Sequence, residues 1–176
     1  LDFFAYFHPT EKMAISFGGG YNAIDRMPFY TDKSDGTFAI NYASAKGLNI
    51  EAESWIFASD KDKITANLKT AFYTLNDGKS VPYIPNFKLN TKYERELSDK
   101  FLANIGLAVI GPCYTDIENI SKLNAYADLS LGMEYRIIKT FSVYINTSNL
   151  LNQNIYIWNG YKERSLFFNC GIIWQL

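Results

Sequence analysis

The side chains able to do chemistry in this chain of 176 residues are few and poorly placed for catalysis. His8 is the single histidine, so neither a histidine metal cluster nor a Ser-His-Asp arrangement can be assembled around it. Beside Pro9 it reads as an exposed turn residue. Gly18-Gly19-Gly20 has the glycine content of a phosphate loop, but no Lys-Ser/Thr follows and no helical period begins there. A flattened strand or a close packing partner explains it better. Glu51 and Glu53 form the kind of carboxylate pair that acid–base chemistry uses. Yet each lies on the charged parity of its own segment, as do Lys69, Lys88, Lys92, Glu94, Asp128, Glu134 and Arg136. Both signs of charge are present, and a wall of opposite charges bridging strands, or holding an internal domain, is the better reading. Cys113 falls in a predicted loop and Cys170 within a predicted strand, so they are not expected to pair. Tyr83, Tyr114, Tyr156, Trp158 and Tyr161 cluster in predicted loops. Such rings suit stacking on a sugar or chelate ligand, and equally an aromatic girdle at the level of lipid headgroups. No catalytic residue, cofactor or metal site is expected, and the chain is not expected to be an enzyme.

The elements that carry these residues show a period of two. From Leu166 to Leu176 one parity is Leu166, Phe168, Cys170, Ile172, Trp174 and Leu176, and the other is Phe167, Asn169, Gly171, Ile173 and Gln175. Alternation of this kind marks a strand with one apolar face. It recurs in Ala127, Leu129, Leu131, Met133, Tyr135 and Ile137 against Asp128, Ser130, Gly132, Glu134 and Arg136. Segments around residues 13–18, 48–56, 64–73, 87–94, 101–109 and 141–146 repeat it, and no helical period fits any of them. Tight connections at Pro9-Thr10-Glu11, 59–62, 98–100 and 138–140 alternate with longer ones at about 22–45, 76–85, 111–123 and 147–163. Short turns at one end and long loops at the other are characteristic of bacterial outer-membrane barrels, which place the C-terminus on the periplasmic, short-turn side.

A soluble barrel also has one apolar parity, facing inward, so alternation alone leaves two architectures open. Three features favour lipid. The predicted strands run to about 10–13 residues, near the length that crosses a tilted bilayer. The polar parity mixes Asn, Ser, Gly and Thr with charges of both signs, which suits a crowded hydrated interior. Aromatics make up 16% of the chain, and Tyr and Trp gather near strand ends. A net charge of -1 gives no global attraction to nucleic acid. No run is long and apolar enough for a membrane-spanning helix, which leaves a barrel open. The fold expected is all-β: an antiparallel up-and-down transmembrane barrel whose face with Leu129, Leu131, Phe168, Ile172 and Trp174 meets lipid.

Several stretches carry a more specific resemblance. Val81-Pro82-Tyr83-Ile84-Pro85-Asn86-Phe87-Lys88-Leu89 precedes a strand after a long loop, and Ile110-Gly111-Pro112-Cys113-Tyr114 leaves the next. Asn149-Leu150-Leu151-Asn152-Gln153-Asn154-Ile155-Tyr156, followed by Trp158-Asn159-Gly160-Tyr161, precedes the last strand, and Ala45-Lys46-Gly47-Leu48-Asn49-Ile50-Glu51-Ala52-Glu53 begins an earlier one. In this order they resemble the C-terminal barrel of TonB-dependent outer-membrane receptors, especially those of Bacteroidota-type bacteria. The chain ends in Leu176, where that family usually ends in Phe or Trp.

The resemblance implies residence in a Gram-negative outer membrane, with membrane lipid as surroundings and a plug domain and TonB as partners. It also implies uptake of a scarce small solute, whether siderophore, vitamin, glycan or peptide. About nine strands are counted, and an odd number fits part of a larger receptor barrel better than a complete small one. Residues 1–176 are therefore expected to be one barrel domain, a C-terminal piece without the plug. If residues 37–44 formed a strand of their own, the count would be ten and a small closed barrel, acting as a passive pore or structural protein, becomes the alternative. A soluble lipid-binding barrel is the third.

Overall fold

The computed structural model describes residues 1–33 and 35–175, and Leu176, the last residue of the apolar parity above, lies outside them. Among the described residues nine strands form one antiparallel sheet: β1 (Asp2–Thr10), β2 (Met13–Asp32), β3 (Phe38–Ser59), β4 (Asp62–Leu75), β5 (Phe87–Ser98), β6 (Phe101–Ile110), β9 (Tyr126–Ile138), β10 (Phe141–Ser148) and β13 (Phe167–Trp174). The order in the sheet follows the chain, so each strand pairs with the next. Two small hairpins lie in loops: β7 (Cys113–Tyr114) with β8 (Lys122–Leu123), and β11 (Tyr156–Trp158) with β12 (Tyr161–Lys162). The described residues contain no helix, and β1 and β13 do not pair with each other, so the sheet is open.

Residues directly opposite in antiparallel strands share a face, so the register converts each local alternation into rows across the sheet. One row runs Ile56, Ile64, Tyr93, Ile105, Leu131, Thr147, Phe168. A polar row runs Lys63, Glu94, Asn104, Gly132, Asn146, Asn169. Another runs Glu53, Asn67, Asn90, Ala108, Asp128.

The exposure of the two faces is the reverse of a soluble sheet. Leu131, Met133 and Tyr135 of β9 are exposed, whereas Gly132 is buried and Glu134 and Arg136 are half-buried. On β13, Phe168 is 58% exposed, Ile172 65% and Trp174 70%. Side chains fan apart on the convex side of a curved sheet and converge on the concave side, which places the apolar rows on the convex face. The glycines agree. A Cβ at Gly132 would lie 2.4 Å from Asn146 Oδ1 and 2.5 Å from Asn104 Nδ2, and one at Gly171 would meet the Tyr144 ring at 2.6–2.9 Å. Polar side chains from neighbouring strands lean over both positions, so the charged parity is the crowded one.

Two expectations change. Residues 22–45 are not one long loop: β2 and β3 run on as a paired hairpin as far as Asp32 and Phe38. Of residues 37–44, all but Thr37 therefore belong to β3, and they add no tenth strand. Elsewhere the tight connections are two-residue turns at 11–12, 60–61, 99–100 and 139–140. Gly18 and Gly19 do have close packing partners: the rings of Phe4 and Phe3 lie 3.1 Å from where their Cβ atoms would be. Cys113 and Cys170 are both free, the first buried and the second exposed.

Candidate ligand-binding mouth

The long connections gather at one end of the sheet and share a core there with the outer ends of β2, β3 and β4. The extended β2–β3 hairpin alternates too, and one of its sides presents Met27, Phe29 and Thr31 with Ala43 and Ala45. Phe29, Ala45, Leu75 and Val81 form the buried apolar cluster, with Met27, Ala43, Tyr73, Ile84 and Ile117 packed around it. Val81, 1% exposed, is brought there by the 76–85 loop, whose backbone bonds back to β4 through Val81 N to Tyr73 O at 3.1 Å and Leu75 N to Lys79 O at 2.8 Å.

Asparagines in left-handed backbone pin the loops to one another. Asn119 (φ 58°) accepts from Ser80 N at 2.7 Å and donates to Ser80 O at 3.0 Å, joining the 111–123 loop to the 76–85 loop. Asp116 accepts from Ser121 N at 2.6 Å and Ile120 N at 3.1 Å. Burial pushes the Asp116 carboxyl up, but these backbone amides outweigh it and hold it below the usual carboxylate range. Lys79 pairs with Glu118, which raises the ammonium above its usual value. Asn149 (φ 50°, 3% exposed) donates to Gln153 O at 2.9 Å and Arg164 O at 3.1 Å and accepts from Gln153 N at 2.9 Å. Its own amide donates to Asp128 Oδ1 at 2.6 Å. Neither asparagine is among the predicted site residues.

Of the five predicted loop aromatics, the structure brings three together. Trp158 stands 4.5 Å from Tyr83 between ring centres, 5.0 Å from Phe38 and 5.7 Å from Tyr30, and Tyr161 lies 5.7 Å from Phe38. The Tyr83 hydroxyl donates to Asp32, and the Tyr161 hydroxyl to Gly36 O at 3.4 Å. Burial and the neighbouring Asp32 raise the Tyr83 phenol well above its usual value. The loop before β13 thus reaches the tip of the β2–β3 hairpin, and Tyr30 and Phe38 complete a stack that sequence reasoning missed. Tyr114 stands apart, with the Lys122 ammonium 5.6 Å from its ring centre. Tyr156 is exposed beside a cavity of about 220 Å³ lined by Tyr83, Lys88, Tyr126, Tyr156, Ile157 and Trp158. A second cavity of about 430 Å³ shares Tyr126 and Ile157 with it and continues past Asp128, Asn146 and Asn169.

The predicted wall charges lie on the concave parity. Lys69 and Glu51 pair across strands at 2.6 Å, while Lys92 pairs with Glu94 on its own strand at 2.8 Å. Arg136 lies 3.8 Å from Glu134 and 3.7 Å from Glu96. Lys88 and Glu53 make no ion pair among the described residues, and Asp128 serves as the cap of Asn149.

Neither a protein-family model nor a curated protein sequence matches the chain. Solved structures do. A structure titled as the copper transporter OprC superposes with a TM-score of 0.81 at 15% identity, over 99% of this chain and 30% of that one. The ferric enterobactin receptor PfeA of Pseudomonas aeruginosa gives 0.76 at 16% identity, covering 98% and 30%. The ferric-catecholate import receptor Fiu of E. coli K12 gives 0.72 at 14%, covering 98% and 27%. The chain therefore spans under a third of each of these proteins. At such identities the likeness is one of fold: the chain has the antiparallel, up-and-down fold of an outer-membrane receptor β-barrel, as an open section of it.

Proposed function

We propose that this chain is part of the wall and outer mouth of a TonB-dependent uptake receptor in a Gram-negative outer membrane. The observation that carries the reading is where the apolar residues are buried. On the strands they are exposed along the convex face, and the buried apolar cluster lies beyond that band at the loop end, where Phe29, Ala45 and Leu75 of the outer strand ends meet Val81 of the 76–85 loop. Hydrocarbon needs no protein cover in lipid, whereas loops standing in water must build a core. Leu129, Leu131, Phe168, Ile172 and Trp174 then face lipid, and the wall charges face an enclosed aqueous interior occupied by a plug domain. The end of β13 at Trp174 is periplasmic, since the tight turns lie at that end.

Solute capture falls to the mouth. Tyr83, Tyr156 and Trp158 line the smaller cavity with Lys88, a combination suited to a planar or anionic small solute. Siderophore, vitamin, glycan and peptide cargoes all remain within that chemistry. The Bacteroidota-like origin rests on the motifs alone.

Two measurements test the reading. Nitroxide labels on cysteines at Leu131 and Ile172 are expected to be accessible to oxygen in the bilayer and shielded from a water-soluble nickel chelate, with the reverse at Glu53. Uptake by the intact receptor in cells is expected to stop when a protonophore collapses the inner-membrane gradient. Uptake that continues unchanged marks a passive pore and overturns the TonB-dependent reading.

A further inference from the structure

The convex face carries no charge from Met13 to Tyr21 on β2, Leu48 to Ile56 on β3 and Ile64 to Phe72 on β4. Along β3 this stretch extends about 26 Å at the usual strand advance, the scale of the apolar band of outer-membrane barrels. Its outermost row is Tyr21, Leu48 and Phe72, each about half exposed. Charge begins immediately beyond. The next residue on that face of β3 is Lys46, exposed and in register with Ala23 and Thr74.

A β-bulge adds a second cation. Ile24 pairs with Ala45 and Met27 with Ala43, so Asp25 and Arg26 together oppose Ser44. Bulges re-aim side chains. Here the Arg26 guanidinium comes to 5.5 Å from the centre of the Tyr42 ring, which is 59% exposed. Tyr42, Ser44 and Lys46 alternate onto one face of β3. Asp25 is the local carboxylate, and its Oδ1 accepts from Ser44 Oγ at 3.0 Å. Neither Arg26 nor Lys46 forms an ion pair among the described residues. Arg95, at the opposite end of the convex face, differs. Asp62 lies 3.6 Å from its guanidinium.

We propose that Arg26, Tyr42 and Lys46 form a site on the outer wall for the phosphate-bearing headgroup of an anionic glycolipid in the outer leaflet. The site rests on the assignment of the convex face to lipid. Arg offers a phosphate a two-pronged donor, Lys a point charge, and Tyr42 an amphipathic ring at headgroup level. Tyr42 and Lys46 are about 13 Å apart along the strand, a span that suits a headgroup carrying more than one anionic group.

The test uses the intact protein in nanodiscs of zwitterionic phospholipid doped with a bis-phosphorylated glucosamine lipid, and native mass spectrometry counts retained glycolipid. Arg26→Gln and Lys46→Gln are each expected to lower retention about 5-fold and the double variant about 30-fold, with Arg95→Gln unchanged. Inorganic phosphate at about 10 mM is expected not to displace the lipid, because a single ion cannot span the site. Equal retention by the double variant overturns the site, and so does displacement by free phosphate or equal retention of the zwitterionic lipid. Oxygen accessibility of a label at Leu131, measured on the same discs, separates the two readings. Equal retention by the double variant with Leu131 accessible indicts the site alone, and a shielded Leu131 removes its foundation.

Discussion

Leu131 is the position at which the two candidate surroundings of the convex face predict opposite results from one substitution. It lies near the middle of β9 (Tyr126–Ile138), between Ile105 on β6 and Thr147 on β10, and is 40% exposed. Arg at an exposed strand position in water is tolerated to within about 0.5 kcal/mol. Arg at the midplane of a bilayer on the lipid face of a barrel costs about 2–4 kcal/mol, falling to about 0–1 kcal/mol near the interfaces. Ile137 is on the same parity but next to the Lys139–Thr140 turn, so it supplies the interfacial control. Leu131→Arg is therefore expected to cost about 3 kcal/mol and Ile137→Arg less than about 1 kcal/mol. The assay is equilibrium unfolding by denaturant of vesicle-inserted protein, followed by tryptophan emission, with Leu131→Met as the size-matched apolar control. An unchanged denaturant slope is required for the midpoints to report stability. Costs below about 0.5 kcal/mol at both sites, or a larger cost at Ile137, would refute the placement of this face in hydrocarbon.

Three further outcomes concern the loops. Val81→Ala removes two methyl groups from the best-buried side chain of the loop core, at a cost of about 1–2.5 kcal/mol. Hydrogen exchange is expected to quicken across residues 76–85 while the strands keep their protection. Asn149→Gly retains the left-handed backbone but loses the side-chain bonds to Gln153 and Arg164, and Asn149→Ala also meets the cost of φ 50°. Exchange in residues 150–166 is expected to rise in both, more in the alanine variant, by about 1 kcal/mol of local opening. Asp116 has a folded pKa below its ordinary value, so its contribution is present above the unfolded pKa and disappears as pH falls through the folded one. Protection of the Ile120 and Ser121 amides should fall below about pH 4, and Asp116→Asn should remove that pH dependence.

How much was legible before the fold was known differs from element to element. Alternation at 127–137 or 166–175 is visible in the sequence because extended backbone sends successive side chains to opposite faces. The tight connections show for a similar reason, as polar dipeptides such as Asp60-Lys61 interrupt the alternation. Residues 22–45 mislead. Pro28, Asp32, Lys33 and Gly36 have the composition of a loop, and the bulge at Asp25–Arg26 puts the alternation out of phase, so the hairpin disappears from the pattern. Its stability depends on Val81 and Leu75, which lie far along the chain. The aromatic site was half visible: Tyr83, Trp158 and Tyr161 stood out as loop rings, but Tyr30 and Phe38 lay in the 22–45 stretch that read as a separate loop, with nothing to link them to residues near 160.

The sequence by itself determined that this chain makes long antiparallel ribbons, each with one uncharged and one charged edge, because side-chain alternation is local geometry. It did not determine which edge faces outward, since a ribbon can curl either way and both kinds of barrel have one apolar face. Only the tertiary structure decided that: polar side chains converge over Gly132 and Gly171 on the concave face, while Leu131, Met133 and Ile172 stand exposed on the convex one. The same holds for the mouth, where left-handed asparagines and a hairpin 125 residues from its aromatic partner had to be brought together in space.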